Sequence, residues 1–127
     1  MNYTSKIIIL LLFLVNVTSA NDFKKLIGSY SPISKGYWSY GDLVIESDKI
    51  SWKECKNTPF KIYKIENGNY YLELLTSEYC GFDERGAFMI LKLEGREIEA
   101  SVCEKLEEFQ KNPGDRYCSW GVLKRRN

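Results

Sequence analysis

The sequence predicts an all-β domain: a small antiparallel meander barrel of about eight strands with one short helix, stapled by two disulfides. Three observations predict it. Short apolar stretches alternate with polar residues at period two, as half-buried strands require. Neighbouring stretches are joined by tight-turn signals, and a single segment carries helical spacing. Strands that follow one another through tight turns pair antiparallel, and curling such a meander into a barrel removes its exposed edges.

The first twenty of the 127 residues stand apart from this pattern. Lys6 precedes the apolar run Ile7–Val15 and the polar segment Asn16-Val17-Thr18-Ser19-Ala20. The run is far shorter than the ~20 residues that span a bilayer, so it reads as a secretory signal cleaved after Ala20. Residues 21–127 are then a single exported domain, periplasmic or secreted, with no stable membrane insertion after cleavage. Loss of Lys6 leaves seventeen basic and seventeen acidic side chains, a formally neutral domain. Nucleic-acid binding needs a clustered basic face. The one basic cluster, Lys124-Arg125-Arg126, reads as a solvated tail.

The strands are expected at Leu26–Ser31, Asp42–Glu46, Lys49–Lys53, Thr58–Ile65, Asn69–Thr76, Ala87–Leu93, Glu97–Cys103 and Arg116–Lys124. Ser47-Asp48, Asn67-Gly68 and Glu94-Gly95-Arg96 join three pairs of them as hairpins; Asn-Gly is the strongest signal because both residues tolerate positive φ. The helix is expected at Glu104–Lys111, with Leu106 and Phe109 on one face, acids early and Lys111 late, ended by Asn112-Pro113-Gly114-Asp115. Alternation puts Leu43, Ile45, Ile50, Trp52, Phe60, Ile62, Leu72, Met89, Leu91, Ile98 and Ala100 inside, together with Trp120 and Val122. Eight strands enclose a space that side chains can fill or that can hold one small ligand, and so bulky a lining favours filling.

Cys55, Cys80, Cys103 and Cys118 form an even set in an exported chain, which implies two disulfides in an oxidising compartment. Their spacings of 25, 23 and 15 residues contain no C-x-x-C, and with no histidine in the chain neither a zinc site nor any metal or cofactor is expected. In a meander the ends of the third, fifth and seventh strands and the start of the eighth meet at one end of the barrel. One rim should therefore be clamped, with Cys55–Cys80 and Cys103–Cys118 favoured among three connectivities.

Leu26-Ile27-Gly28-Ser29-Tyr30 resembles the G-x-W opening of lipocalins and related calycin-like barrels, with Tyr30 where that family has Trp. The resemblance implies an up-and-down barrel and binding of a small apolar molecule at an open end. Taken on its own, a glycine followed by an aromatic also supplies backbone room beside a barrel-closing ring.

The absence of histidine removes the Ser/His/Asp and Cys/His nucleophile arrangements. Glu78, Asp83 and Glu84 crowd the loop Ser77–Gly86, but hydrolysis by paired acids needs two carboxylates set across a groove. That loop reads as charged and solvated. Gly36-Tyr37-Trp38-Ser39-Tyr40-Gly41 is the most suggestive segment: three aromatics between glycines offer rigid contact area with polar tips, or else a satellite core over the barrel mouth. The expectation is a non-catalytic exported binding protein that recognises a protein or surface ligand through Tyr37, Trp38, Tyr40, Tyr79 and Phe82. A carrier of a small apolar ligand is the alternative, and a carboxylate-dependent hydrolase comes third.

Overall fold

The computed structural model describes residues 22–75, 88–103 and 105–127. Within them β1 (Gly28–Pro32), β2 (Leu43–Ile45), β3 (Lys49–Trp52), β4 (Cys55–Glu66), β5 (Asn69–Leu74), β6 (Phe88–Glu94), β7 (Glu97–Cys103) and β8 (Ser119–Arg125) pair in sequence order, all antiparallel. Pairing of Tyr30, Ser31 and Pro32 with Arg125, Lys124 and Leu123 closes the barrel. The expected signal segment lies outside the described residues. Among those described, no helix is long and apolar enough to cross a membrane.

The hairpins form where the turn chemistry put them. Asn67 (φ 52°) and Gly68 (φ 77°) both take the left-handed conformation that a two-residue turn requires. Two irregularities in β4 set its facing. Near its start the register shifts between Ile50 and Trp52, Asn57 adopts φ 49°, and its N–H donates to the Ser51 hydroxyl at 2.9 Å. Further along the register slips between Ile62 and Lys64, leaving Tyr63 as the extra residue. A bulge of this kind changes the phase of everything beyond it. Ile62 and Ile65, three apart, therefore both pack against the core, and Tyr63 turns outward.

The core follows the alternation. Leu43, Ile45, Ile50, Trp52, Leu72, Met89, Leu91, Ile98 and Ala100 are fully buried. The exception is β8, where Trp120 was expected inside and is instead 66% exposed, Val122 is only half-buried, and Gly121 and Leu123 face inward. The phase of β8 is set by what Gly121 leaves empty. A Cβ there would lie 2.7 Å from Cδ2 of the Tyr37 ring, so no larger residue fits beneath that ring.

Each end of the barrel is plugged. At the end carrying the Asn67-Gly68 turn, a short N-terminal segment with a 3₁₀ turn at Lys24–Leu26 lays Phe23 5.0 Å from Phe60 and buries Leu26. Leu26, expected in the first strand, thus belongs to this plug. Tyr30 fastens it: its hydroxyl donates to the Leu26 carbonyl at 2.8 Å, and the Arg125 guanidinium stacks 5.2 Å over its ring. At the other end the Gly36–Gly41 segment forms a 3₁₀ helix, Lys35–Tyr40.

The helix α1 (Leu106–Gln110) sits outside the barrel wall, within the span expected for it. Phe109 is buried against Tyr71, Phe88 and Tyr63, making a second small core with Ile90 and Cys103. Cys103 and Cys118 are bonded, closing the excursion between β7 and β8. Cys55 is buried beside the barrel interior; Cys80 lies outside the described residues, so one of the two expected bridges is seen.

Candidate functional site

The clamped end of the barrel presents the side chains best placed to meet a partner, and its geometry begins with Tyr37. The 3₁₀ helix drops this residue into the barrel mouth, 3% exposed, where its ring meets Trp52 edge-on at 4.9 Å and stacks on Tyr40 at 5.0 Å. Its hydroxyl donates to the Ala100 carbonyl at 3.0 Å, and burial pushes its pKa up to about 12. The Trp52 indole donates to the Gly41 carbonyl at 3.1 Å, and the Lys53 N–H donates to the Tyr40 carbonyl at 3.0 Å. Gly41 makes the exit from the helix at φ 73°. The mouth is therefore covered by a layer of aromatic rings tied to the wall.

The structure divides the aromatic segment into a buried part and an exposed one. Tyr37 and, in part, Tyr40 form the satellite core over the mouth. Trp38 points outward and is 59% exposed, yet it is held: its indole N–H donates to the Ile33 carbonyl at 3.1 Å, and Lys35 lies 6.0 Å over its ring. Tyr79 and Phe82, the other expected contact residues, lie outside the described residues.

Sequence reasoning missed the second half of this surface. Ile33 donates its N–H to the Val122 carbonyl at 2.8 Å, and Ser34 accepts from the Val122 N–H through its hydroxyl at 2.8 Å. Trp38 thus sits one hydrogen bond from a residue bonded to β8, two positions along from the exposed Trp120. Tyr117, 88% exposed, and the half-exposed Ile33 complete an apolar fringe on the same rim. The only signal available in the sequence was the pair of neighbours Trp120-Gly121, in which the glycine rather than the indole faces inward.

Below Trp120 the outer wall carries a groove of about 380 Å³. Its floor is made of outward residues from β6, β7 and β8, with Ile90, Ser101 and Trp120 paired side by side and Lys92 beside Glu99 in the next row. Its flank is Pro113, Arg116 and Cys118. Arg116 is fixed there by stacking 5.4 Å over Tyr71 and by donating to the Tyr71 hydroxyl at 3.1 Å and the Lys111 carbonyl at 2.8 Å. Glu108 accepts from the Lys111 ammonium and from the Tyr117 N–H, and these bonds, the Lys111 one first, hold its carboxyl below the usual carboxylate range.

No family model, curated protein or solved structure matches this chain. Its chemistry has to be read from the rim itself. An indole held in place, as Trp38 is, on a frame locked by a disulfide and by aromatic packing, loses little entropy on docking.

Proposed function

We propose that the protein is an exported, non-catalytic binding domain that recognises a protein or surface ligand through the aromatic rim around Trp38 and Trp120. The observation that carries this reading is the exposure of two indoles, Trp38 and Trp120, at one end of the barrel, beside the exposed Tyr117 and the half-exposed Ile33. Tryptophan is among the side chains that contribute most to binding when a partner covers it, and a fixed one contributes without an ordering cost. We put recognition outside the barrel because the interior is occupied by its own side chains and both ends are stoppered, by Phe23 and Leu26 at one and by Tyr37 at the other.

Export is part of the same reading. The Cys103–Cys118 bridge suits an oxidising compartment, and the leading apolar run has the length of a signal. A second bridge, Cys55–Cys80, would clamp the same rim. Peptide mapping of the non-reduced protein should recover both linked pairs, and free Cys80 thiol would remove the second one.

The rim is tested by capture from extracellular or periplasmic extract at low salt. The wild type should retain a discrete protein or glycoconjugate, and the Trp38→Ala/Trp120→Ala variant should release it while melting at the same temperature. Retention undiminished in the variant, or nothing retained by the wild type, contradicts the proposal.

A further inference from the structure

We infer that the groove below Trp120 is a saccharide site, sized for a mono- or disaccharide. This deepens the binding-domain reading and rests on it. A volume of about 380 Å³ is at the small end of ligand sites, enough for one or two sugar rings. One side is the exposed Trp120 indole, whose ring face is electron-rich and attracts the weakly positive C–H face of a pyranose.

The remaining lining supplies what sugar hydroxyls need, donors and acceptors in alternation. Among the described residues the Ser101 hydroxyl, the Glu99 carboxylate and the Trp120 indole N–H have no side-chain or backbone partner, while Lys92 is paired only with the exposed Glu94 at 3.4 Å. Strand pairing sets Ser101 directly between Ile90 and Trp120, and Glu99 directly beside Lys92. An indole face, a hydroxyl, a carboxylate and an ammonium therefore converge on one patch of a rigid sheet. Other ligand classes fit less well. An anion meets Glu99, a cation meets Lys92 and Arg116, and an apolar molecule strands the polar lining without partners. A neutral polyhydroxylated ring pairs with all of them.

The test is a titration of the ¹⁵N-labelled, oxidised protein with maltose, cellobiose and N,N′-diacetylchitobiose, and separately with inorganic phosphate and cyclohexanol. At least one disaccharide should give saturable shifts at Ser101, Glu99 and the Trp120 indole N–H, and Trp120→Ala and Ser101→Ala should each weaken it roughly tenfold. Absence of shifts with all three sugars overturns the inference, as do shifts that persist in Trp120→Ala, or a response to phosphate or cyclohexanol alone. A silent sugar titration beside Trp38-dependent capture from extract rejects the groove while leaving the rim; loss of both rejects both.

Discussion

At the scale of single residues, the contact between Gly121 and Tyr37 decides more than any other. The ring occupies the space a side chain at 121 would need, 2.7 Å from the ideal Cβ position, and ring and strand backbone are both buried. Gly121→Ala should therefore cost about 1–3 kcal/mol, read as a lower urea midpoint at constant slope. An alanine variant as stable as the wild type would show that the 3₁₀ helix can lift off the mouth without penalty. The Tyr37 hydroxyl gives a second test. Its pKa is raised from 10.0 to about 12, so the folded state holds this proton more tightly than the unfolded chain does. The associated stability is complete below pH 10 and is lost as the pH climbs from there to about 12, by about 2–3 kcal/mol. Urea midpoints across that interval should fall more steeply for the wild type than for Tyr37→Phe. Burial also raises the Tyr70 pKa, so part of the slope remains in the variant; equal slopes in both proteins would contradict the assignment.

At the scale of elements, the excursion between β7 and β8 is held to the wall by the buried Phe109, by the Cys103–Cys118 bridge, and by the contacts of Arg116 with Tyr71 and of Gln110 with Tyr63. The helix within it, Leu106–Gln110, is too short to persist unaided. The bridge joins residues 15 apart and is worth about 3 kcal/mol by chain entropy. Cys103→Ala/Cys118→Ala should lose that much and should raise amide exchange in 105–117 well before the barrel strands exchange. Uniform acceleration throughout would mean the excursion is integral to the barrel's cooperative unit. Much at this scale was legible beforehand. Asn67-Gly68 announced its turn, the period-two runs located all eight strands, and the meander put Cys55, Cys103 and Cys118 at one rim. What the pattern hid has physical causes. A strand's facing depends on a one-residue choice, and in β8 the bulk of Trp120 argued for the wrong face while the deciding partner, Tyr37, lies 84 positions earlier. The slip at Tyr63 in β4 likewise follows from packing against Phe109, a contact no local pattern encodes. The candidate rim was half legible: Trp38 stood out in its glycine-bounded segment, whereas Trp120 and the groove beneath it emerged only once the phase of β8 was known.

At the scale of the whole molecule, the proposal assigns stability and recognition to different parts of the barrel. Its inside is lined by the buried Trp52, Met89 and the aliphatic set, and its clamped rim displays Trp38 and Trp120. Surface substitutions away from buried contacts usually shift stability by no more than about 0.5 kcal/mol, so alanine at both exposed indoles should leave the melting temperature nearly unchanged. A large drop would assign those side chains to the fold rather than to a partner. The proposed recognition from outside and the carrier alternative make opposite predictions, because a carrier's ligand must enter the interior and displace or lie against the buried Trp52. A titration with a fluorescent long-chain fatty acid, following energy transfer from tryptophan in the wild type and in Trp38→Ala/Trp120→Ala, tests this most directly. Recognition from the outside predicts no saturable signal in either protein. One-to-one saturation that survives in the double variant, with Trp52 as the remaining donor, would show an occupied interior and contradict the account.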